Sequence, residues 1–118
     1  MVEALEKKAD DVCLTVDPGV CGFTCVIRAR KVAKRSVAIE ISGSECKQIN
    51  RLNERLEEMS LKELFMPLTR NPVYRAAEAS GCHTSCAVPS AILKTVEVAM
   101  GMAIARPVQF SFGCDKEG

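Results

Sequence analysis

Seven cysteines and one histidine are the residues of this 118-residue chain best suited to chemistry. The histidine lies between two of the cysteines, in the stretch G-C-H-T-S-C-A-V-P-S-A-I-L-K-T-V-E-V-A-M-G-M from Gly81 to Met102. Cys82, His83 and Cys86 fall where a loop becomes the most apolar helix of the sequence. A helix start carries unpaired N–H groups and about half a positive charge, which favours thiolate over thiol. Cys21 is expected in a loop before a strand, and Cys46 in the first turn of another helix. In a sandwich of strands and helices these positions can share one end. Three thiols and an imidazole make a full tetrahedral shell for zinc, and thiolates also hold iron–sulfur clusters. The candidate metal ligands are therefore Cys21, Cys46, His83 and Cys86, with Cys82 as a substitute or fifth thiol. The signal lies in three segments converging. There is no C-x-x-C pair, so zinc-ribbon and thioredoxin signatures are missing.

Two other kinds of function compete with metal binding. Cys86 alone, with His83 three residues before it, could serve as a sulfur acceptor or redox nucleophile. Arg28, Arg30, Lys31, Lys34 and Arg35 form a basic hairpin tip that could meet nucleic acid or an acidic partner. A solvated turn is the commoner explanation of such a tip, and no aromatic interleaves the charges. The sequence has no phosphate-binding Gly-rich loop, no Ser-His-Asp set and no carboxylate pair placed for acid–base work. The balance favours a binding protein over an enzyme.

The positioning elements follow from periodicity. Val12–Val16 is a short strand, and Asp17-Pro18-Gly19 a turn. Phe23–Arg30 alternates, with Phe23, Cys25, Ile27 and Ala29 on one face. Ser36–Ser42 alternates with Val37, Ile39 and Ile41 inward, so the two strands make a hairpin in which Arg28 can meet Glu40. Cys13 and Cys25 lie within strands and are assigned to packing. Ser44 is the expected cap of a helix whose apolar stripe is Ile49, Leu52, Leu56 and Met59. Ser60-Leu61-Lys62-Glu63 is a capping box. Asn71-Pro72 opens a third helix that stops at Gly81. Ser85 can cap the last helix, and Pro89 fixes its start near residues 86–88. Pro107–Phe112 is a final strand with Val108, Phe110 and Phe112 inward, and Cys114 lies in a polar tail. The expected fold is α+β: a three-stranded antiparallel sheet plus a C-terminal strand, packed on a layer of about four helices.

One domain spans 1–118, with a core from about 12 to 113. Net charge is +1, so no global field points to nucleic acid or membrane. The start M-V-E-A-L-E-K-K-A-D-D lacks an apolar signal core, and no run approaches a spanning helix. The expected location is cytoplasmic, where an odd number of cysteines suits metal or thiol chemistry better than a disulfide framework.

Several of these residues also carry a family resemblance. Cys21-Gly22 before a hairpin, I-E-I-S-G-S-E-C ending at Cys46, Met59–Glu63, and His83 with Cys86 before an alanine-containing helix stand in the order seen in the U-type (NifU N-terminal-like) iron–sulfur cluster assembly scaffolds. The chain resembles that family from Val12 to Met102. The resemblance implies an iron–sulfur scaffold-like fold, a scaffold or carrier role, and partners in iron–sulfur or sulfur metabolism. Phe23 stands where the scaffolds carry an acid, and two residues separate His83 from Cys86. The chain also resembles small uncharacterised proteins of anaerobic bacteria and archaea. These share C-G-F and C-x-V-P-S-x-I-L-K-x-x-E-V-A-x-G, here Cys21–Phe23 and Cys86–Gly101.

Overall fold

The computed structural model describes residues 11–113. Cys114 and the charged N-terminal stretch before Asp11 lie outside the described residues. The fold is α+β, with a four-stranded antiparallel sheet in the order β1-β2-β3-β4. The strands are β1 (Asp11–Val16), β2 (Cys25–Ala33), β3 (Ser36–Ser42) and β4 (Glu58–Ser60). The helices are α1 (Lys47–Arg55), α2 (Leu61–Leu64), α3 (Pro72–Ser80) and α4 (Val88–Ala99), with a 3-10 turn at Leu68–Arg70. No described helix is long and apolar enough to cross a membrane.

Alternation decides which face of the sheet is covered. Cys25, Ile27 and Ala29 of β2 and Val37, Ile39 and Ile41 of β3 are buried against the helices. Arg28 and Glu40 occupy the open face and pair in register, as their spacing predicts. Cys13 is exposed on that face, opposite Arg28, so it is not the packing residue expected. Its neighbours Val12 and Leu14 take the helix side. Phe23 also departs from expectation: β2 begins two residues later, and the ring is exposed.

The apolar stripe of α1 is buried as predicted, but the helix is shorter than the stripe. It ends at Arg55, Leu56 turns to extended backbone, and Met59 reaches the core from β4. The reason lies on β3, whose outer edge needs partners. The Ile41 N–H donates to Asn53 Oδ1 at 2.7 Å, and the Ile39 N–H to the Glu57 carbonyl at 2.9 Å. Val37 then pairs with Met59. Extended backbone at 56–60 satisfies the sheet and keeps the same side chains inside.

The fourth strand is thus 58–60. The strand predicted at Pro107–Phe112 has no ladder partner among the described residues, and the segment is irregular and exposed. An alternating pattern proposes a strand, but only a paired edge makes one. The capping box at Ser60 and Glu63 forms. Asn71 caps α3, is buried, and donates through its amide to the carbonyls of Glu63, Leu64 and Met66. It thereby ties the end of α2 to the start of α3. Helix α4 packs over β1 and β2, while α1 covers β3. Ile92 and Val96 are fully buried at the centre of α4, in contact with the core of the sheet.

Candidate functional site

Strands β1 and β2 meet at one end through the pair Val16–Cys25. The connection between them is a close turn. The Gly22 N–H donates to the Gly19 carbonyl at 2.9 Å, and the Gly19 N–H to Asp17 Oδ1 at 3.1 Å. Gly22 has φ of +72°, a left-handed conformation that side-chain-bearing residues rarely adopt. No atom would touch a Cβ there, so the requirement is for the backbone and not for space. Cys21 is exposed on this turn, and Cys25 is buried at its end with 2% of its surface accessible.

Three helix ends reach the same region. Cys46 is the N-cap of α1, the place expected for Ser44. Its thiol donates to Gln48 Oε1 at 3.2 Å, and its N–H donates to Ser44 Oγ at 3.0 Å. Cys82 lies just past α3, where Gly81 takes φ of +80° and the Cys82 N–H donates to the Ala77 carbonyl at 3.0 Å. That is the Schellman closure of a helix C-terminus. Cys86 stands two residues before α4, held by its N–H to the His83 carbonyl at 3.0 Å. Ala87, not Ser85, is the cap of α4. Cys46, Cys82 and Cys86 are each half-buried against the core.

The thiols feel one another's charge. Burial pushes the Cys25 thiol from 9.0 up to about 11, with Cys86, Cys46 and Cys21 adding in that order. Burial also raises Cys82, followed by Cys86 and Cys46, while the Arg51 cation opposes them. Arg51 is held there by donating to the Ser80 carbonyl at 2.9 Å. Cys86 is raised by burial first. A hydrogen bond from the Val88 N–H pulls it down, but Cys21 and Cys46 push it up again. The helix start was expected to favour thiolate at Cys86. The N–H contribution is present, and desolvation outweighs it.

Of the predicted residues, Cys21, Cys46, Cys82 and Cys86 lie at one end of the fold, linked by charge effects among them and Cys25. His83 is exposed on the turn between Cys82 and Cys86, and it is not among the principal charges acting on the three raised thiols. Cys25, assigned to packing, is buried in the core as expected, and its thiol also lies within charge range of Cys86, Cys46 and Cys21. Cys21-Gly-Phe-Thr-Cys25 repeats the C-x-x-x-C spacing of Cys82-His-Thr-Ser-Cys86. The first pair spans the β1–β2 turn and the start of β2, the second the α3–α4 loop, and Cys46 comes from a third segment. Five of the six described cysteines therefore share one end, all as free thiols.

This donor set suits soft metals, which prefer thiolate to oxygen ligands. Among the described residues, however, no three His, Cys, Asp or Glu side chains form a ready-made metal-holding group. A zinc ion with Zn–S bonds of about 2.3 Å draws its sulfurs to about 3.8 Å from one another. Direct ligation of one ion thus requires the thiols to turn about χ1, the only torsion a cysteine has before its sulfur. An iron–sulfur cluster places its own core between the ligands and so accepts sulfurs set further apart.

A family model described as a family of unknown function (DUF6951) matches residues 12–112, and the chain belongs to that family. No curated protein and no solved structure matches.

Proposed function

We propose that this member of a family without an assigned function binds a thiophilic metal ion or an iron–sulfur cluster at its thiol end. Cys21, Cys25, Cys46, Cys82 and Cys86 are the ligand pool, and His83 stands at its margin as an alternative fourth ligand. The observation that carries the reading is the placement of five free thiols from three separate segments at one end of the fold, within charge range of one another though not in a ready-made metal group among the described residues. Packing alone does not call for thiols from three segments to gather, because any small apolar side chain would fill those places. The order of Cys21, Cys46, His83 and Cys86 in the chain, which resembles the U-type scaffolds, agrees with a scaffold or carrier role in iron–sulfur or sulfur metabolism. Zinc would act here by fixing the three segments, whereas a cluster would be held or passed on.

The protein's own contribution is to gather and desolvate the thiols. The C-G turn presents Cys21, and the first residue of β2 holds Cys25 inside. The ends of α1, α3 and α4 fix Cys46, Cys82 and Cys86. Arg51 supplies a positive charge beside Cys82. Ligation requires thiolates, so uptake releases protons to solvent. The rival reading, a metal-free nucleophile at Cys86, is disfavoured because burial raises that thiol's pKa, opposite to what an activated nucleophile needs.

The test is elemental analysis of protein purified anaerobically and reduced. The wild-type chain is expected to retain zinc or iron, and Cys25→Ser to lose most of it. Cys13→Ser, on the far face of the sheet, is expected to retain it. A wild-type protein that takes up neither zinc nor a reconstituted cluster would refute the proposal.

A further inference from the structure

The two edges of the sheet are treated differently. Along β3 the outer edge is closed. The Arg35 carbonyl accepts from the Leu61 N–H at 2.8 Å, and Ser36–Ala38 pair with β4. Ile39 and Ile41 donate to Glu57 and Asn53. Strand β1 is hydrogen-bonded to β2 alone, and among the described residues nothing pairs with its outer edge. Such an edge is a template for another strand unless it is short, charged, bulged or broken by proline. β1 runs six residues in regular register, D-V-C-L-T-V, with no Pro or Lys and its one charge, Asp11, confined to the first position.

The same chain carries a strand pattern without a sheet. After Pro107, Val108, Phe110 and Phe112 alternate with Gln109 and Ser111. Phe110 is 83% exposed and Phe112 fully so, and both are large aromatics that burial would stabilise. The family match runs to residue 112, so this segment belongs to the shared domain and is not an appended tail. The two pieces are complementary. Laid along β1 with its apolar side toward the helices, the segment would set Val108, Phe110 and Phe112 beside Val12, Leu14 and Val16. Val12 and Leu14 are only half-buried at that margin. Gln109 and Ser111 would join Cys13 and Thr15 on the open face. Pro107 would stand at the strand's first position, where a missing N–H is tolerated.

We propose that residues 107–112 form a strand that pairs with the β1 edge of a second copy of this chain. The exchange is reciprocal, so each sheet gains a fifth strand. The occupant is a second copy and not the same molecule, because the single chain leaves its own segment off its own open edge. Helix α4, from which the segment departs, already lies over β1 and β2, and only residues 100–106 intervene. A reciprocal exchange uses the same surface twice and closes at two copies. Backbone hydrogen bonds supply the register, and the alternating aromatics supply the burial.

The test is the mass of the reduced full chain by light scattering, with amide hydrogen exchange over residues 11–16. Reductant prevents cross-linking through the exposed Cys13 and Cys21. The full chain is expected at twice the monomer mass, with protected β1 amides. A chain ending after Arg106, and the full-length Phe110→Asp variant, are each expected to show half that mass. In both, β1 protection is lost while the circular dichroism of the domain is kept. A monomeric full chain overturns the proposal, and protected residues 107–112 in that monomer would assign the segment to its own β1. A truncated chain that stays dimeric overturns it equally.

Discussion

The hairpin β2–β3 has two ends, and they differ in what burial does to their polar side chains. At its closed tip, Lys34 and Arg35 stand in water at a two-residue turn, and Arg28 and Arg30 lie on the open face of the sheet. At the other end, Cys25 opens β2 inside the core, within charge range of Cys21, Cys46 and Cys86. The tip has more formal charge, but each cation keeps its hydration and does little to its neighbours. At the thiol end, a charge formed on Cys25, Cys82 or Cys86 has lost solvent and faces like charges. A count of charged residues ranks the tip first, whereas burial ranks the thiol end first.

The largest expected difference is in metal uptake. Replacing Cys46 and Cys86 together by serine removes ligands from two segments. It should weaken zinc or cluster binding by more than the roughly 10–100-fold typical of an outer-shell change. Lys34→Ala with Arg35→Ala should leave that binding unchanged. Competition with a chelator of known affinity measures both, and equal losses at the two ends would break the comparison.

Next in size is an alkaline loss of stability in the metal-free protein. Cys25 is raised in the folded state from 9.0 to about 11. Below pH 9 both states hold the proton, and its contribution is fully present. Between pH 9 and 11 the unfolded chain gives up the proton first, so stability falls as pH rises. At about 1.4 kcal/mol per pH unit, the loss approaches about 2–3 kcal/mol and levels off above 11. Urea unfolding across this range should show the fall in wild type and a shallower one in Cys25→Ala. Metal-loaded protein should not show it, because its ligands are already thiolates.

A smaller effect is expected at Gly22. Alanine there must adopt φ of +72° with no steric clash, which costs about 1–2 kcal/mol of backbone strain. Thermal unfolding should register that cost, and metal retention should fall with it because Cys21 rides on the same turn. The smallest is that of Arg28→Ala, at a residue set opposite Glu40 in register on the open face, where a cross-strand pair of opposite charges is worth about 0.2–1 kcal/mol. Its effect should shrink in high salt.

Much of the fold was legible in the sequence. Period-two alternation located β2 and β3 and their inward faces, and Asn71-Pro72 and Gly81 bounded α3 correctly. Elements decided by long-range pairing were not legible. Residues 56–60 continue a helical stripe, yet they become extended because β3 needs an edge partner. Val108–Phe112 alternates as a strand and pairs with nothing described. Positions in the loop before a strand and at loop-to-helix junctions singled out Cys21, Cys46, Cys82 and Cys86, and the fold sets all four at one end. Cys25 packs in the core as its strand position predicts, and only the fold shows that the end of the sheet it occupies is the end that carries the other thiols. Likewise, the helix start at Cys86 suggested an activated thiol, and burial, with Cys21 and Cys46 adding to it, reverses the sign.

The most direct test of the central claim is the absorption spectrum of the reduced chain loaded with Co(II), a spectroscopic stand-in for zinc. Thiolate-to-cobalt charge-transfer bands grow with the number of sulfur ligands. The expected spectrum is that of a tetrahedral site with at least three thiolates, and it should weaken in Cys25→Ser but not in Cys13→Ser. A spectrum with no sulfur charge transfer, or one unmoved by Cys25→Ser, would contradict the account.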